Sequence, residues 1–472
     1  MSVFLPCLLL FVGLACSNAR VPFQLNNPIY FKNIAAGLPD NPVGKIWALL
    51  VAGSEGWDNY RHQADVCHAY QILHSNGIPD ENIIVMMADD IAFYEDNPTP
   101  GVIINHPGGP NVYKGIPKDY TGKDVTVKNF LNILVGNKTA MKGIGSGKVI
   151  ESGPDDLVFI NFVDHGGDGV LYFPNEELYA DEFIEAINLM SAKSKYSKLI
   201  MYIEACHAGS MFDNMLSDTT NVFVLTASDP HESSYACYYD ETRGTYLGDV
   251  FSVIWMNDTE NESLPRESLH HQFEKVRTYT NTSHVEEYGD LDIGVTKLKD
   301  VLGFKMRMMK ALQGFNSSFS SSDVKPKHPV DTADNMEVPL IVLQKKRSAA
   351  NDPEQSQALK IQIYNLIKKR KFVDQLFHEI VRRVTDNIDL RKKEVHTSTY
   401  GLTLDKFSCY KKLYTTFSNN CFSFIQNPYA RVHLQKFVNM CSTKWLNKDK
   451  FVEGIKSACS DVLGSMKPKN IM

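Results

Sequence analysis

Two apolar segments of strand length end abruptly at reactive side chains, and this pattern constrains the fold of the chain most. Residues 157–163 read Leu-Val-Phe-Ile-Asn-Phe-Val and lead into Asp164 and His165, whereas residues 199–205 read Leu-Ile-Met-Tyr-Ile-Glu-Ala and lead into Cys206. Apolar, β-branched runs without polar alternation are typical of buried parallel strands, which present functional groups at their carboxyl ends. The sequence therefore predicts a parallel sheet with His165 and Cys206 at one edge.

A thiol and an imidazole at neighbouring strand ends can act as nucleophile and general base. The imidazole of His165 can take the proton of Cys206, and the small residues that follow each side chain leave space for a substrate and free N–H groups for an oxyanion. The alternative interpretation is structural, because a lone cysteine is commonly a small buried hydrophobic residue and a lone histidine is often a satisfied core or surface residue. Spacing alone leaves both interpretations open.

The first two thirds of the chain alternates between strand and helix patterns. Further strand candidates are residues 45–52, 83–87 and 222–228, and helix candidates are residues 59–76, 127–134 and 181–191. Residues 97–122 are rich in Pro and Gly and predict a loop. This alternation predicts a parallel sheet with helices on both faces.

Several longer motifs carry a resemblance to a known family. They are residues 53–65 (Gly-Ser-Glu-Gly-Trp-Asp-Asn-Tyr-Arg-His-Gln-Ala-Asp), 86–101, 164–166, 204–211 and 232–239. These segments resemble the legumain family of asparaginyl cysteine endopeptidases, and the similarity extends from about residue 28 to about residue 294 and more weakly to the C-terminus. The resemblance implies a caspase-like α/β/α sandwich with a mostly parallel central sheet, followed by a C-terminal all-α prodomain.

The resemblance implies a role for each candidate catalytic residue. Cys206 is the expected nucleophile and His165 the expected general base and acid, while Asn59 matches the family's third catalytic position and would orient His165. Asn59 could instead cap the helix that follows it. We expect the backbone N–H groups of Gly166 and Cys206 to hold the oxyanion.

Selectivity for asparagine requires a small pocket with both hydrogen-bond donors and acceptors. The resemblance assigns this pocket to Arg61, Glu204 and Asp249, with His62, Ser233 and Ser234 nearby. Glu204 precedes Cys206 by two residues on the same side of its strand, a position that is difficult to explain as surface. Aspartic acid would enter such a pocket only when protonated, so weak cleavage after Asp is expected at low pH.

The chain departs from the family at two motif positions. His207 and Ala208 stand where most members have Glu-Ser, and Glu55 stands where Asn is common. A histidine beside the nucleophile could favour the thiolate or change the primed-side contacts. These departures bear on the pH optimum and on a peptide-ligase side activity.

The N-terminus is typical of a secreted protein. Residues 1–19 contain an apolar core followed by small residues, as a secretory signal peptide does, although a charged n-region is missing. N-glycosylation candidates are Asn137, Asn257, Asn261, Asn281 and Asn316. No other segment has the ~20 apolar residues of a membrane span. We expect a soluble protein of the secretory pathway, working in a lysosome, in a vacuole or outside the cell.

Cysteine usage agrees with an oxidising compartment. Cys7 and Cys16 would leave with the signal peptide, and Cys409, Cys421, Cys441 and Cys459 cluster near the C-terminus, where three pairings are possible in principle. The resemblance favours Cys409 with Cys441 and Cys421 with Cys459. Cys67 and Cys237 are expected to be buried free thiols. We expect no metal and no cofactor. Zinc in particular is not expected, because CxxC and HExxH spacings are missing.

The character of the chain changes after about residue 314. We place the peptidase domain at residues 20–314, an exposed linker and activation segment at 315–351 and a helical domain at 352–472. Residues 345–393 contain thirteen Lys or Arg and six Asp or Glu, whereas the whole chain has a net charge of −6. This contrast suggests electrostatic docking on an acidic body, although a solvated helix face or a nucleic-acid patch are alternatives. Secretory targeting and sparse aromatic residues argue against nucleic acid.

In the family that this chain resembles, the helical region is a propeptide that covers the active site and leaves on acidification. The expected partners are therefore protein and peptide substrates that contain Asn, the chain's own C-terminal prodomain as an intramolecular inhibitor, and cystatin-type inhibitors. Our candidate for the autocleavage site is Asn351, which follows Lys345, Lys346 and Arg347. Asn351 or the neighbouring aspartic acid could also cap the next helix.

Three other functions were compatible with parts of the pattern. A transamidase of the GPI-anchoring type shares the dyad and the fold in outline, but is expected to carry a C-terminal membrane span. A catalytically silent, glycosylated binding protein would be expected to lack Cys206 or His165, and both are present. The C-terminal domain could also serve mainly as an inhibitor of other proteases.

Overall fold

The computed structural model describes residues 44–304 and 331–464. The predicted signal peptide with Cys7 and Cys16, the glycosylation candidate Asn316 and the first half of the predicted linker lie outside these residues. Within the described ranges, no helix combines the length and the apolar composition that crossing a membrane requires.

Twelve strands form three sheets in the described residues. In chain order they are β1 Ile46–Ala52, β2 Ile83–Met86, β3 Leu157–Val163, β4 Gly166–Gly167, β5 Val170–Tyr172, β6 Glu177–Tyr179, β7 Lys198–Glu204, β8 Val222–Thr226, β9 Tyr235–Asp240, β10 Thr245–Asp249, β11 Glu286–Gly289 and β12 Ala333–Asp334. The central sheet has the order β11-β8-β7-β3-β1-β2, while β4-β5-β6 and β10-β9-β12 form two small sheets. All pairs in the central sheet are parallel except β11 with β8.

Helices cover both faces of the central sheet. The helices of the catalytic region are α1 Tyr60–Ser75, α2 Val127–Leu134, α3 Ala180–Ala192, α4 Val250–Asn261, α5 Leu269–Tyr279 and α6 Leu298–Val301. Alternate strand residues point to opposite faces, so Leu49 packs with α2 and α3, whereas Leu50 packs with α1, α4 and α5. The predicted three-layer architecture around a mostly parallel sheet is confirmed.

The C-terminal region is entirely helical apart from β12. Its helices are α7 Val338–Ala349, α8 Pro353–Val384, α9 Asp389–Thr397, α10 Phe407–Asn420, α11 Leu434–Ser442 and α12 Asp449–Leu463. Disulfides join Cys409 to Cys441 and Cys421 to Cys459, as the resemblance implied. Cys67, Cys206 and Cys237 are buried free thiols.

The second half of the predicted linker differs from our expectation. The stretch up to Pro339 was expected to be an exposed linker, but Ala333 and Val338 are buried, β12 joins a sheet, and α7 begins at Val338. The reason is tertiary, because a two-residue strand that pairs with β9 leaves no periodic signal in the sequence. Asn351 itself is exposed between α7 and α8, and Asp352 caps α8 by accepting from Glu354 and Gln355 N–H groups.

Candidate active site

Cys206 lies two residues after the end of β7, at the carboxyl edge of the sheet. Its side chain is buried, and its Sγ atom lies 3.9 Å from Ser234 Oγ. Burial raises the pKa of the thiol to about 12, the charge of Asp334 adds to this rise, and hydrogen bonds to Ser234 and Ser233 oppose it. The thiol is therefore protonated at neutral pH while the C-terminal region covers it.

His165 lies two residues after the end of β3, the strand that pairs with β7. Its Nε2 atom lies 2.9 Å from Asn59 Oδ1, and Asn59 Nδ2 donates to the Glu55 carbonyl at 2.9 Å. Because that second bond orients the amide, Oδ1 faces the ring as an acceptor, and Nε2 carries the hydrogen. The unprotonated Nδ1 atom is left to accept a proton.

Asn59 occupies the N-cap position of α1, but its side chain makes no capping hydrogen bond. The Asn59 side chain therefore does not cap this helix. It forms a hydrogen bond with His165 instead. Partial burial lowers the pKa of His165 well below its usual value, and the charges of Arg431 and Arg61 lower it further. This shift in the pKa favours the neutral imidazole, the form that a general base requires.

The two strand ends bring the His165 and Cys206 segments into direct contact. Val163 pairs with Glu204, and the Asp164 N–H donates to the Glu204 carbonyl at 3.0 Å. Gly166 packs so closely on the Cys206 carbonyl oxygen that a Cβ atom at this position would overlap it. Glycine is thus required at 166, and the backbone of this residue lies beside the candidate nucleophile.

Arg61 and Asp249 form a buried ion pair beside this edge. Arg61 Nε donates to Asp249 Oδ1 at 3.1 Å, and Arg61 Nη1 donates to the Asp58 carbonyl at 3.0 Å. Both side chains are at most 1% exposed. A pair this deeply buried is strongly destabilised if one partner is removed, so its position in the fold is tightly defined.

Glu204 adds a second carboxyl group to the pocket. Its Oε2 atom accepts from Ser252 N–H at 3.0 Å and from Ser252 Oγ at 3.1 Å. Burial raises the pKa of Glu204 well above its usual value, and the neighbouring Asp249 raises it further. Glu204 Oε1, Asp249 Oδ2 and Arg61 Nη2 make no hydrogen bond within the described residues. These atoms give the pocket unused donors and acceptors of both kinds.

His62 lies beneath His165, against the buried Asp164. The two imidazole rings are 4.9 Å apart and nearly perpendicular, and His62 Nδ1 lies 2.6 Å from Ser54 Oγ and 3.2 Å from Asp164 Oδ1. Burial lowers the pKa of His62 and raises that of Asp164 to about 7. His62 therefore supports the site from below as a neutral ring.

Ser234 is buried, whereas Ser233 is partly exposed. Ser234 Oγ accepts a hydrogen bond from Asn335 Nδ2 at 2.9 Å, and the same Nδ2 atom donates to Asp249 Oδ1 at 3.0 Å. The structure thus brings Arg61, Glu204, Asp249, His62 and Ser234 together beside Cys206. It also places Asn335, which the sequence analysis did not single out, against Ser234 and Asp249.

A cavity of about 670 Å³ lies between the catalytic region and the C-terminal region. Its lining includes Asn59, Arg61 and His165 from the first region and Asn335, Met336 and Arg370 from the second. Sequence reasoning missed the last three, because only tertiary structure brings them to the pocket. The one available signal was an asparagine inside the segment between the two domains.

His207 has a left-handed backbone conformation with φ 54°. Its Nδ1 atom lies 3.2 Å from the Pro230 carbonyl oxygen and 3.7 Å from Asp168 Oδ1. The ring is thus held by Pro230 and Asp168. These contacts do not decide between the two effects that we considered for His207.

The C-terminal region contacts this edge mainly through aromatic side chains. Arg431 lies 3.7 Å from the centre of the Tyr172 ring, and Tyr410 Oη donates to the Asp168 carbonyl at 2.6 Å. Within the described residues, the ion pairs that join the two regions all involve Lys411, which lies 2.7 Å from Asp181 and 3.0 Å from Glu182. Three of the four lysines of α8, namely Lys360, Lys368 and Lys371, are exposed to solvent.

Among the described residues, two groups of side chains have donor atoms close enough together for a metal ion, namely His62 with Asp164 and His165, and Asp229 with Glu232 and His284. Each group has atoms that already take part in protein hydrogen bonds. Nε2 of His165 bonds to Asn59, and His284 Nδ1 lies 3.0 Å from Glu232 Oε2. We assign no metal to either group.

Comparison with known proteins covers both regions. The model of the peptidase C13 family matches residues 46–304, and the model of the legumain prodomain matches residues 361–459. Human legumain is 45% identical over 87% of this chain and 94% of its own length. A vacuolar-processing enzyme of Citrus sinensis is 40% identical over 89% of this chain and 86% of its own. Legumain of Canavalia ensiformis is 38% identical over 91% and 92%.

Among solved structures, caspase-1 from Spodoptera frugiperda aligns with a TM-score of 0.32 and 10% identity, over 56% of this chain and 92% of that chain. This weak alignment carries no argument, and the architecture rests on the sheet topology described above. The sequence matches cover the catalytic and the helical regions over most of their length. The chain belongs to the peptidase C13 family and is a cysteine endopeptidase.

Proposed function

We propose that this endopeptidase cleaves peptide bonds on the carboxyl side of asparagine, and weakly after aspartic acid at low pH. The observation that carries the proposal is the buried pocket in which Arg61 offers donors while Glu204 and Asp249 offer acceptors. A carboxamide needs both, and the two hydrogen bonds that Asn335 donates there support this choice. A carboxylate can lie beside Asp249 only when one of the two groups is protonated.

Cys206 is the proposed nucleophile and His165 the proposed general base and acid. Nδ1 of His165 takes the thiol proton, the thiolate attacks the carbonyl carbon, and the imidazolium then gives its proton to the leaving amine. Water hydrolyses the resulting thioester. The backbone N–H groups of Cys206 and Gly166 are the proposed oxyanion donors, and Asn59 acts as a positioning residue through its bond to Nε2.

The C-terminal region is the proposed intramolecular inhibitor of a zymogen. It covers the edge that carries His165, and its Arg431 keeps the charged imidazolium unfavourable. We propose activation at acid pH, with a cut near Asn351, whose exposed position between α7 and α8 suits an attacking protease.

The same proposal includes the processing and location of the protein. Asn137, Asn257, Asn261 and Asn281 are all exposed, as N-glycosylation requires. Together with the predicted signal peptide and the vacuolar-processing relatives, this supports a route through the secretory pathway to a lysosome or vacuole. The family resemblance described in the sequence analysis is the basis for proposing cystatin-type inhibitors as partners and a peptide-ligase side activity.

The test is hydrolysis of matched fluorogenic peptides that differ only in Asn, Asp or Gln before the scissile bond. We expect cleavage of the Asn peptide at acid pH, weaker cleavage of the Asp peptide that disappears toward pH 7, and none of the Gln peptide. Cys206→Ala should lose activity at least about 10³-fold.

Cys67→Ala is the matched control, because it removes another buried thiol, one that contacts Met87 in the core. It should retain the activity of the parent. Equal hydrolysis by the parent and Cys206→Ala would refute the proposal, and so would cleavage after Gln as fast as after Asn.

A further inference from the structure

Residues 333–335 lie in the active-site cleft as an added strand. Ala333 pairs with Ala236 and Asp334 with Tyr235 in antiparallel register, and the Asn335 N–H donates to the Ser234 carbonyl at 3.1 Å. Main-chain pairing to an existing strand is a general way in which proteins bind extended peptides. The segment therefore has the backbone geometry of a bound substrate.

The side chain of Asn335 fills the pocket of mixed charge. It is 4% exposed, and its Nδ2 atom donates to Ser234 Oγ at 2.9 Å and to Asp249 Oδ1 at 3.0 Å. By contrast, Asn351 is exposed and lies between two helices. Of these two asparagines, the one that occupies the proposed specificity pocket is Asn335.

Asn335 and the nucleophile share a neighbouring side chain, that of Ser234. Ser234 Oγ, which accepts from Asn335 Nδ2, is 3.9 Å from Cys206 Sγ. Asn335 and Met336 also line the same cavity as His165. Asn335 and Met336 therefore flank the same cleft as the candidate nucleophile and base.

Contacts from α8 hold the residues after this bond. Arg370 Nη2 donates to the Met336 carbonyl at 2.9 Å, and Arg370 Nη1 lies 2.6 Å from Glu337 Oε2. Met336 N–H donates to Asp334 Oδ1 at 2.8 Å, which turns the chain away toward α7. These contacts hold residues 336 and 337, which follow the bond, in place while the C-terminal region is docked.

We propose that residues 333–336 are an internal substrate and that the peptide bond between Asn335 and Met336 is a self-cleavage site whose cut is required for full activity. This inference rests on the proposed function and assigns its first substrate within the chain. A cut near Asn351 alone would leave the bond after Asn335 intact in the cleft, with residues 336 and 337 still held by Arg370. Hydrolysis of the bond after Asn335 separates these residues from the catalytic region and makes Asn335 a chain end that can leave the pocket.

The reaction consumes one water molecule. The Cys206 thiol gives its proton to His165, the thiolate attacks the Asn335 carbonyl carbon, and the C–N bond to Met336 breaks as His165 returns the proton to the leaving nitrogen. Water then adds to the thioester, giving a proton to His165 that restores the thiol. The products are a carboxyl group on Asn335 and a free amino group on Met336.

The experiment follows the full-length zymogen after a shift to pH 4.5, with time points analysed by mass spectrometry and by hydrolysis of an Asn peptide. We expect chains that end at Asn335 and chains that begin at Met336, with full activity appearing only as these termini form. The cleavage rate should not change on 100-fold dilution, because the bond lies in its own active site.

Three variants make the test specific. Asn335→Gln should slow this cut at least about 100-fold and delay activity equally, because the longer side chain does not fit the pocket. Asn335→Asp, which is nearly isosteric, should be cut at pH 4.5 but not at pH 7. Asn351→Gln, the matched control, should still be cut after Asn335. Hydrogen exchange of β9 in each variant verifies that β12 remains paired.

Two results would overturn the inference. One is a fully active enzyme in which residues 335 and 336 are still joined, and the other is cleavage there whose rate falls in proportion to dilution. If an external Asn peptide is hydrolysed while the bond stays intact, only this inference fails. If neither is hydrolysed after Asn, the proposed function fails first.

Discussion

The catalytic region and the C-terminal region bury ionisable groups of opposite kinds. Burial raises the pKa of Asp164 to about 7 and that of Glu204 well above its usual value, whereas it lowers the pKa of His433 to about 2 and that of His396 to about 4. A fall in pH protonates carboxyl groups to their neutral form, which is favourable for buried groups, but it protonates histidines to their charged form, which is unfavourable for buried groups. A lower pH therefore stabilises the catalytic region through its carboxyl groups and destabilises the C-terminal region through its histidines.

Proton linkage determines whether the stability of each region rises or falls with pH. Between pH 7 and 4 the folded catalytic region binds a proton at Asp164 that the unfolded chain binds less readily, so its stability rises as the pH falls. Below pH 6.5 the unfolded C-terminal region binds a proton at His433 that the folded one refuses, so its stability falls. His62 and His165 oppose the trend in the catalytic region, because their pKa values are also lowered.

The largest expected effect comes from Asp164→Asn in a Cys206→Ala background. Asp164 should contribute about 1.4 kcal/mol of stability per pH unit to the parent as the pH falls from 7 to 4, and the variant should lose this contribution. Hydrogen exchange of β3 amides at several pH values measures it. If the stability of the variant depends on pH as steeply as that of the parent, protonation of Asp164 does not stabilise the catalytic region at low pH.

His433→Gln tests the histidine side. His433 Nε2 lies 3.0 Å from Asp374 Oδ1 and its Nδ1 2.7 Å from Lys436 Nζ, while its ring stacks on Phe377. A neutral glutamine should keep the C-terminal helices folded at lower pH, removing a loss of about 1.4 kcal/mol per unit between pH 6.5 and 4.5. Hydrogen exchange of α8 and α11 measures the change.

The exposed His106 provides the control for that experiment. His106→Gln should leave the acid midpoint of the helices unchanged. An equal shift in both variants would mean that histidine burial is not the cause.

Much of the fold could be predicted from the sequence, because long apolar strands and their abrupt ends carry strong local signals. His165 and Cys206 were placed at adjacent strand ends on this basis. The partner of Asn59 could not be decided, since capping and orienting use the same side chain at the same position. Residues 333–336 were missed for a different reason, because their burial depends on pairing with a strand about a hundred residues earlier.

Tyr410→Phe measures how much one hydrogen bond contributes to docking between the two regions. Loss of the hydrogen bond to the Asp168 carbonyl should weaken docking by about 1 kcal/mol. The loss should be equal at pH 5 and pH 7, since burial raises the pKa of Tyr410 well above 10. Hydrogen exchange around Asp168 measures it, with the exposed Tyr364 changed to Phe as control. A loss confined to one pH would contradict this.

Lys411→Ala should have the smallest effect, about 0.5 kcal/mol, because its pairs with Asp181 and Glu182 are partly exposed. The loss should vanish at 1 M salt. Acid release of the C-terminal region at low and high salt measures this, with the exposed Lys412→Ala as control. A large loss at low salt that disappears at 1 M salt would show that charge, and not aromatic packing, holds the regions together.

The burial of the Tyr172 ring under the C-terminal region has a consequence for the catalytic region alone. It is 1% exposed beneath Arg431, and Tyr179 packs against Tyr414 nearby. If the helices depart as proposed, both rings become exposed to water and form an apolar surface along the rim of the cleft. The catalytic region alone would then expose more apolar surface than the full-length chain. A partner with an aromatic or cationic side chain at this position would bind the exposed surface in place of the helices.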